Sequence, residues 1–165
     1  MLTQSKRIMV IGCPGSGKST LSRELHKKTN LPLYYLDMLY WNEDKTTVDS
    51  DIFKSRLNEV LSYEKWIIDG NYQSTMELRM KACDTIIFLD LDVNTCLEGI
   101  KLRKGLKRED MPWIEDKDDL EFINFIKKFN EVNRPSILDL LEKHKDKKIL
   151  IFKNRDEVNQ CFDIK

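Results

Sequence analysis

The chain has 165 residues, and its 28 Lys and Arg balance 28 Asp and Glu, so the formal net charge is zero. Phosphate contacts to nucleic acid usually require a basic excess, so direct nucleic-acid binding and a polybasic membrane-surface role are both disfavoured. No apolar run approaches the roughly 18 residues of a membrane span, and the first apolar run, Ile8 to Ile11, is far too short for the core of a secretory signal. We therefore expect one domain over residues 1–165 in the cytoplasm; the sequence indicates no oligomeric state.

The cysteines and histidines do not predict a metal site. The four cysteines form no CxxC pair, and the two histidines lie far apart in the sequence. Zinc sites normally need closely spaced ligand pairs, so a zinc centre is disfavoured. We expect buried, reduced thiols at Cys13, Cys83, Cys96 and Cys161.

The first half of the chain predicts alternating strands and helices. A buried strand over 6–11 leads through a glycine-rich loop into a helix over 18–28. A short strand over 33–36 ends at Asp37 and is followed by a polar loop and a helix over 50–62. A third strand covers 66–68, and the capping-box pattern Ser74-x-x-Glu77 predicts a short helix after it.

The second half continues the alternation. A fully apolar strand over 85–91 precedes a helix over 94–104 that stops at Gly105. An amphipathic helix follows over 119–132, and Pro135 fits the first turn of the next helix. A fifth strand covers 149–152, before a short terminal helix. This alternation predicts parallel βαβ units in a three-layer α/β/α fold.

The glycine-rich loop carries the strongest chemical signal. Three of the six glycines fall between positions 12 and 17, and residues 12–19 match the phosphate-binding pattern GxxxxGK[ST]. Glycines let backbone N–H groups turn toward phosphates, the helix adds its positive end, Lys18 contacts the β- and γ-phosphates, and the Ser19 hydroxyl ligates Mg²⁺. The predicted ATP-binding residues here are Gly12, Cys13, Pro14, Gly15, Ser16, Gly17, Lys18, Ser19 and Thr20.

With this loop the sequence resembles the P-loop kinases of small molecules, the group that contains adenylate, shikimate and gluconate kinases. More narrowly, it resembles the DNA topology modulation family, which is related to the FlaR protein. The stretches that carry the resemblance span nearly the whole chain and are 11–21, 36–41, 66–72, 103–112, 134–135 and 152–155. The resemblance implies a P-loop NTPase fold with a five-stranded parallel sheet in the order 2-3-1-4-5. It also implies ATP with Mg²⁺ as phosphoryl donor, an acceptor site near strands 2 and 3, and a mobile arginine-bearing lid over about 103–118.

The resemblance assigns roles to two acids. Asp69, after the third strand, corresponds to an acid near the Mg²⁺ shell, acting through water or Ser19; its alternative role is to cap the turn at Gly70. Asp90 is a weaker candidate for the metal side. Asp37 corresponds to an acid that accepts or orients the proton of a substrate hydroxyl, with helix capping as the alternative.

The predicted lid is basic at its start and acidic beyond. Residues 101–108 carry five basic side chains and no acid, whereas residues 109–121 carry seven acids against Lys117. By resemblance, Arg103 and Arg108 close on the transferring phosphoryl group, although a basic helix end would look similar. Arg134 could also reach the phosphates or lie on the surface. Asn154 and Arg155 could border the adenine pocket.

Aromatic residues concentrate near the expected acceptor site. Stacking on a planar or sugar ring would use Tyr40, Trp41 and Tyr72, next to Gly70, although ordinary packing explains many such residues. The phenylalanines of the amphipathic helix, Phe122, Phe125 and Phe129, are expected in the core.

The chain departs from the adenylate kinase pattern at two phosphate-binding arginines. The segment after Asp37 has Tyr40 where those enzymes have one arginine, and the segment after Gly70 offers none before Arg79. A doubly charged phosphate needs such partners, so a hydroxyl acceptor is favoured over a nucleoside monophosphate. We predict an ATP-dependent phosphotransferase acting on a small molecule; the alternative is a nucleotide-dependent regulator of DNA topology or of a protein partner.

Overall fold

The structure, a computed structural model, describes residues 2–115 and 119–165. Its five strands lie side by side in the order β2-β3-β1-β4-β5, and each neighbouring pair is parallel. They are β1 Arg7–Gly12, β2 Leu33–Tyr35, β3 Trp66–Asp69, β4 Thr85–Leu89 and β5 Lys148–Phe152. The predicted fold class and strand order are confirmed.

Helices cover both faces of the sheet and complete the three layers. They are α1 Lys18–Thr29, α2 Leu36–Tyr40, α3 Ser50–Leu61, α4 Gln73–Ala82, α5 Val93–Arg103, α6 Leu120–Val132, α7 Arg134–Lys143 and α8 Arg155–Phe162. Among the described residues, none of these helices has the length and apolar content needed to cross a bilayer.

The core lies around the three central strands. Residues 8–11 of β1, 66–68 of β3 and 86–88 of β4 are completely or almost completely buried. Strands of a parallel sheet are covered on both faces, which is why these segments are apolar runs instead of alternating patterns. The chain leaves β1 toward one side of the sheet and leaves β3 toward the other, so the carboxyl end of β1 is the point where open α/β sheets bind ligands.

Side-chain caps explain the start of half of these eight helices. The side chains of Asp49, Asp92, Asp119 and Asn154 each accept a backbone N–H in the first turn of the following helix. The capping box at Ser74 was wrong: α4 begins at Gln73, two residues before the first helical residue that a cap at Ser74 predicts, and it has no side-chain cap. Tyr72 reverses the chain with a φ of 35°, so Ser74 already lies inside the helix.

The second strand is shorter than predicted. It ends at Tyr35, and Leu36 starts the five-residue helix α2, so Asp37 lies in the first turn of a helix and not at a strand end. Leu36 is fully buried, because the helix turns its side chain into the core beneath Gly70. The carboxyl group of Asp37 still lies at the carboxyl edge of the sheet.

Candidate active site

The phosphate-binding loop is packed directly against helix α5. Gly15 has a φ of 85°, and a Cβ added there would lie 2.0 Å from the carbonyl oxygen of Cys96. A Cβ on Gly99 would lie 2.2 Å from the carbonyl oxygen of Gly15. Both positions therefore exclude side chains, and the loop backbone rests on the backbone of α5.

Two thiols lie at this same contact. Cys13 of the loop and Cys96 of α5 are both buried, and a hydrogen bond between their side chains raises the pKa of Cys13 and lowers that of Cys96. Burial also raises the pKa of Cys83 to about 12. The expectation of buried, reduced thiols is met for Cys13, Cys83 and Cys96, whereas Cys161 is only partly buried.

Lys18, Ser19 and Asp69 come together at the carboxyl end of β1. The ammonium group of Lys18 lies 3.3 Å from the carbonyl oxygen of Cys13, and the Ser19 hydroxyl donates to Asp69 Oδ2 at 2.7 Å. Burial raises the pKa of Asp69 to about 6, although the charge of Lys18 and the Ser19 hydrogen bond act in the opposite direction. A hydroxyl oxygen beside a carboxylate is a donor set that suits Mg²⁺.

Asparagine and arginine side chains hold the loop between β3 and α4. The Asn71 amide accepts the backbone N–H of Gly12 at 2.9 Å and donates to the carbonyl of the same residue, which ties this loop to the phosphate loop. Arg79 is fully buried and donates to the carbonyl groups of Gly70, Asn71 and Tyr72. Its guanidinium group thus binds the backbone of its own loop and faces no acceptor site.

Asp37 and Tyr72 form a hydrogen-bonded pair. The Tyr72 hydroxyl donates to Asp37 Oδ1 at 2.5 Å. Burial raises the pKa of Asp37, while the hydrogen bond from Tyr72 and the charge of Lys18 lower it. A buried carboxylate with a raised pKa and a fixed orientation has the properties of a general base.

The two arginines of the predicted lid are paired with carboxylates. Arg108 lies 3.1 Å from Glu115 and 3.6 Å from Asp110, and Arg103 lies 3.6 Å from Glu115. Burial and the neighbouring Arg108 lower the pKa of Arg103. The predicted lid residues 116–118 lie outside the described residues.

Asp90 and Arg134 bind each other. Arg134 Nε and a terminal nitrogen donate to the two Asp90 oxygens at 2.8 and 2.9 Å, and Lys153 reaches the same carboxylate at 2.5 Å. Although burial raises the pKa of Asp90, these cations hold it below its ordinary value. Both oxygens of Asp90 are therefore occupied by protein cations, and Arg134 would reach a phosphate only by giving up this pair.

The residues after β5 lie next to the phosphate loop. Arg155 donates to the carbonyl of Gly15 at 3.2 Å, and its guanidinium lies close to Gly17. The Asn154 side chain accepts the Glu157 N–H at 2.9 Å and caps α8. Arg155 thus flanks the phosphate loop, whereas the Asn154 side chain is used by its own helix.

Two cavities meet at the end of the phosphate loop. The smaller has a volume of about 380 Å³ and is lined by the loop, α5 and Arg155. The larger, of about 920 Å³, reaches from the loop to Asp37, Tyr72 and α6. The residues that line both are Lys18, Ser19, Arg103 and Asp110.

Several predicted acceptor residues line the larger cavity. They are Asp37, Trp41, Gly70 and Tyr72. Tyr40 lies behind them, with its ring 5.1 Å from the Tyr72 ring and 5.2 Å from the Phe53 ring. Phe122, Phe125 and Phe129 also line the cavity. Phe129 is buried in the core and Phe122 packs against it, as predicted, whereas Phe125 is 42% exposed, so assigning Phe125 to the core was wrong.

Sequence reasoning missed residues that act through the backbone or from the lid. Asn71 and Arg79 support the two loops, Gly99 admits the phosphate loop, and Asp110 and Trp113 line the cleft. A glycine inside a helix was the one available signal, since it often marks a close backbone approach. The carbonyl groups that Arg79 binds carry no sequence signal at all.

Comparison with known proteins supports the fold. No protein-family model matches the chain. No curated protein matches it in sequence. It is similar to the shikimate kinase from Acinetobacter baumannii in complex with shikimate, with a TM-score of 0.63 and 16% identity over 98% of this chain and 91% of that chain. It is also similar to the shikimate kinase from Bacteroides thetaiotaomicron, with a TM-score of 0.62 and 20% identity over 96% of this chain and 95% of that chain. The chain therefore has the P-loop fold of these kinases, and the narrower resemblance to DNA topology modulation proteins stays a prediction.

Proposed function

We propose that the protein is a kinase that transfers the γ-phosphoryl group of ATP to a hydroxyl group of a small molecule. The observation that carries this proposal is the border between the two cavities. Lys18, Ser19 and Arg103 line both, so phosphates bound along the loop would end where a molecule in the larger cavity begins. In-line phosphoryl transfer needs this placement of donor and acceptor.

The nucleotide side follows from the phosphate loop. Its backbone N–H groups and Lys18 bind the phosphates, and Arg155 lines the smaller cavity beside the loop. Ser19 and Asp69 provide the oxygen donors for Mg²⁺, which neutralises phosphate charge when it is bound. Arg103 and Arg108 stabilise the charge that develops on the transferring group, after they exchange Glu115 for phosphate oxygens.

The acceptor side favours a hydroxyl group. Asp37 accepts the hydroxyl proton, and Tyr72 keeps the carboxylate oriented. Among the described residues, Arg103 is the one arginine that lines the larger cavity, and it lies at the border with the smaller one. Arg79 is committed to backbone carbonyls, so a phosphate on the acceptor would find no second arginine for bidentate contacts, and the further cations of the lining are lysines such as Lys45, Lys101 and Lys127.

The experiment measures ADP formation from ATP with Mg²⁺ against a panel of nucleosides, sugars, hydroxy acids and nucleoside monophosphates. We expect a hydroxyl compound to stimulate ADP formation, and monophosphates to have no effect. Lys18→Ala serves as the blank and should lower the rate about 1000-fold, since it removes a cation from the transferring phosphates. ATP binding without stimulation by any acceptor would contradict the proposal and favour a nucleotide-dependent regulator.

A further inference from the structure

The larger cavity is lined by several aromatic rings, and this inference rests on the proposed kinase function. Lys18, Asp37 and Asp69 line the end that meets the phosphate loop. Aromatic and aliphatic side chains from the end of α2, the lid, α5 and α6 also line it, namely Trp41, Trp113, Leu97, Ile100, Phe122 and Ile123. Charged side chains such as Lys45, Lys101 and Lys127 lie in the same lining, so a bound acceptor meets aromatic rings as well as charges.

The volume of this cavity exceeds the needs of a compact polyol. Ligand cavities for molecules of drug size have volumes of roughly 300–1,000 Å³, and this one, at about 920 Å³, is near the upper limit. A sugar or a small hydroxy acid would fill only part of this volume and would not use the flat faces of the tryptophan rings.

Two tryptophans form the distinctive part of the lining. The Trp41 and Trp113 rings meet edge to face, with centroids 5.8 Å apart. Lys45 Nζ lies 5.0 Å from the centre of the Trp113 ring and supports its position by a cation–π contact. The buried Trp113 Nε1 has no hydrogen-bond partner among the described residues, so a donor is available to a ligand.

We infer that the acceptor is an alcohol that carries a flat, unsaturated ring. Trp41 and Trp113 bind the ring, and the hydroxyl group lies at Asp37, on the phosphate side of the cavity. A flat ring gains dispersion and quadrupole interactions with tryptophan that a saturated ring of equal size does not. A ring heteroatom or carbonyl oxygen would also satisfy Trp113 Nε1.

The test uses pairs of alcohols that differ only in the saturation of the ring. The pairs are thymidine with 5,6-dihydrothymidine, and 2-phenylethanol with 2-cyclohexylethanol, while shikimate serves as a compact polar probe. Binding to the full chain is measured by calorimetry without nucleotide. We expect at least one flat member to bind about tenfold more tightly than its saturated partner, and more tightly than shikimate. Equal binding within both pairs, or tightest binding of shikimate, would overturn the inference.

A variant pair assigns the preference to the tryptophan. Trp113→Leu keeps an apolar side chain but removes the flat ring and the N–H, so we expect it to weaken binding of the flat member about tenfold and to narrow its preference over the saturated partner. The control, Tyr63→Leu, changes an aromatic residue outside the cavity and should leave both affinities unchanged. An undiminished preference in Trp113→Leu would overturn the role of Trp113.

The same probes separate this inference from the proposed function. ADP formation is measured in parallel with binding. Preference for flat rings without ADP formation would support the ring site and contradict the kinase proposal. Phosphorylation of shikimate or another polyol, without preference for a flat ring, would support the kinase proposal and overturn the ring site.

Discussion

The phosphate loop and the lid segment 103–115 border the same cleft, but their polar groups are satisfied in different ways. The loop is held by backbone contacts to α5 and by the Asn71 amide, and within residues 2–115 and 119–165 the Lys18 ammonium has no carboxylate at hydrogen-bond distance. In the lid, Arg103 and Arg108 are already paired with Glu115. A ligand thus binds to a prepared loop, whereas it must replace a carboxylate in the lid.

The sharpest test of this contrast is the loss of a lid arginine. Arg108→Ala should lower kcat about 1000-fold, because arginines that stabilise a transferring phosphoryl group contribute roughly 10³–10⁵. The affinity for ATP should change little, since the phosphate loop is built without Arg108. Steady-state kinetics and calorimetric titration with ATP measure the two effects.

The matched control for Arg108 is its neighbour Lys107. Lys107→Ala also removes one positive charge from the lid, but Lys107 is exposed and lines neither cavity. We expect kcat within about twofold of the original value, as for most surface substitutions. Equal losses in the two variants would mean that the lid acts through its net charge and not through a placed arginine.

A smaller effect is expected at the acceptor end. Asp37→Asn should lower kcat about 100-fold or more, because it removes the group proposed to accept the hydroxyl proton. Tyr72→Phe should act more mildly, through the pKa of Asp37. The Tyr72 hydrogen bond lowers this pKa, so its loss raises it further, and the acid limb of the pH profile of kcat/KM should move to higher pH. An unchanged acid limb would show that Asp37 does not control it.

The same contrast explains what could be predicted from the sequence. The phosphate loop depends on neighbours along the chain, so its motif predicted the position of Lys18 and Ser19 between a strand and a helix. The strand order came from a resemblance that spans the chain and was confirmed. The local pattern thus predicted the phosphate loop, and the overall resemblance predicted the fold.

The acceptor cleft could be predicted only in part, because it depends on contacts between distant segments. Asp37, Trp41 and Tyr72 were found from their positions near the strand ends. Trp113 and Asp110 come from a lid whose pattern shows only charge, and Phe125 was wrongly assigned to the core because a helix period does not distinguish a buried face from a cleft. The pairing of Arg134 with Asp90 joins residues 44 positions apart.

The supporting role of Arg79 can be tested by measuring the stability of variants. Arg79→Met should lower the free energy of unfolding by about 3 kcal/mol, since it leaves carbonyl oxygens of the β3–α4 loop without donors. For a chain of this length, that loss corresponds to a fall in Tm of roughly 6–12 °C. Thermal unfolding measures this fall, and the Tm of Arg79→Lys, which keeps a donor, should fall less. If Arg79→Met had the same Tm as the original protein, a supporting role of Arg79 would be contradicted.

The smallest expected effect concerns Asp69, where substitution should raise the stability of the protein instead of lowering it. Burial raises its pKa from 3.8 to about 6, so between these values the folded state binds more protons than the unfolded state. Stability therefore falls as the pH rises through this window, and above pH 6 the ionised carboxylate destabilises the fold by about 1–3 kcal/mol. Asp69→Asn should raise Tm by a few degrees at pH 8, and the two proteins should converge near pH 4.

The gain in stability should accompany a loss of function. Asparagine keeps an oxygen that can accept the Ser19 hydrogen bond, but it lacks the charge that would hold Mg²⁺. We expect Mg²⁺ to raise Tm of the ATP complex less in Asp69→Asn than in the original protein. A variant less stable at pH 8 would instead show that Lys18 and Ser19 fully compensate the buried carboxylate. The stability of Asp69→Asn at pH 8 therefore shows whether the carboxylate proposed to bind Mg²⁺ lowers the stability of the folded protein.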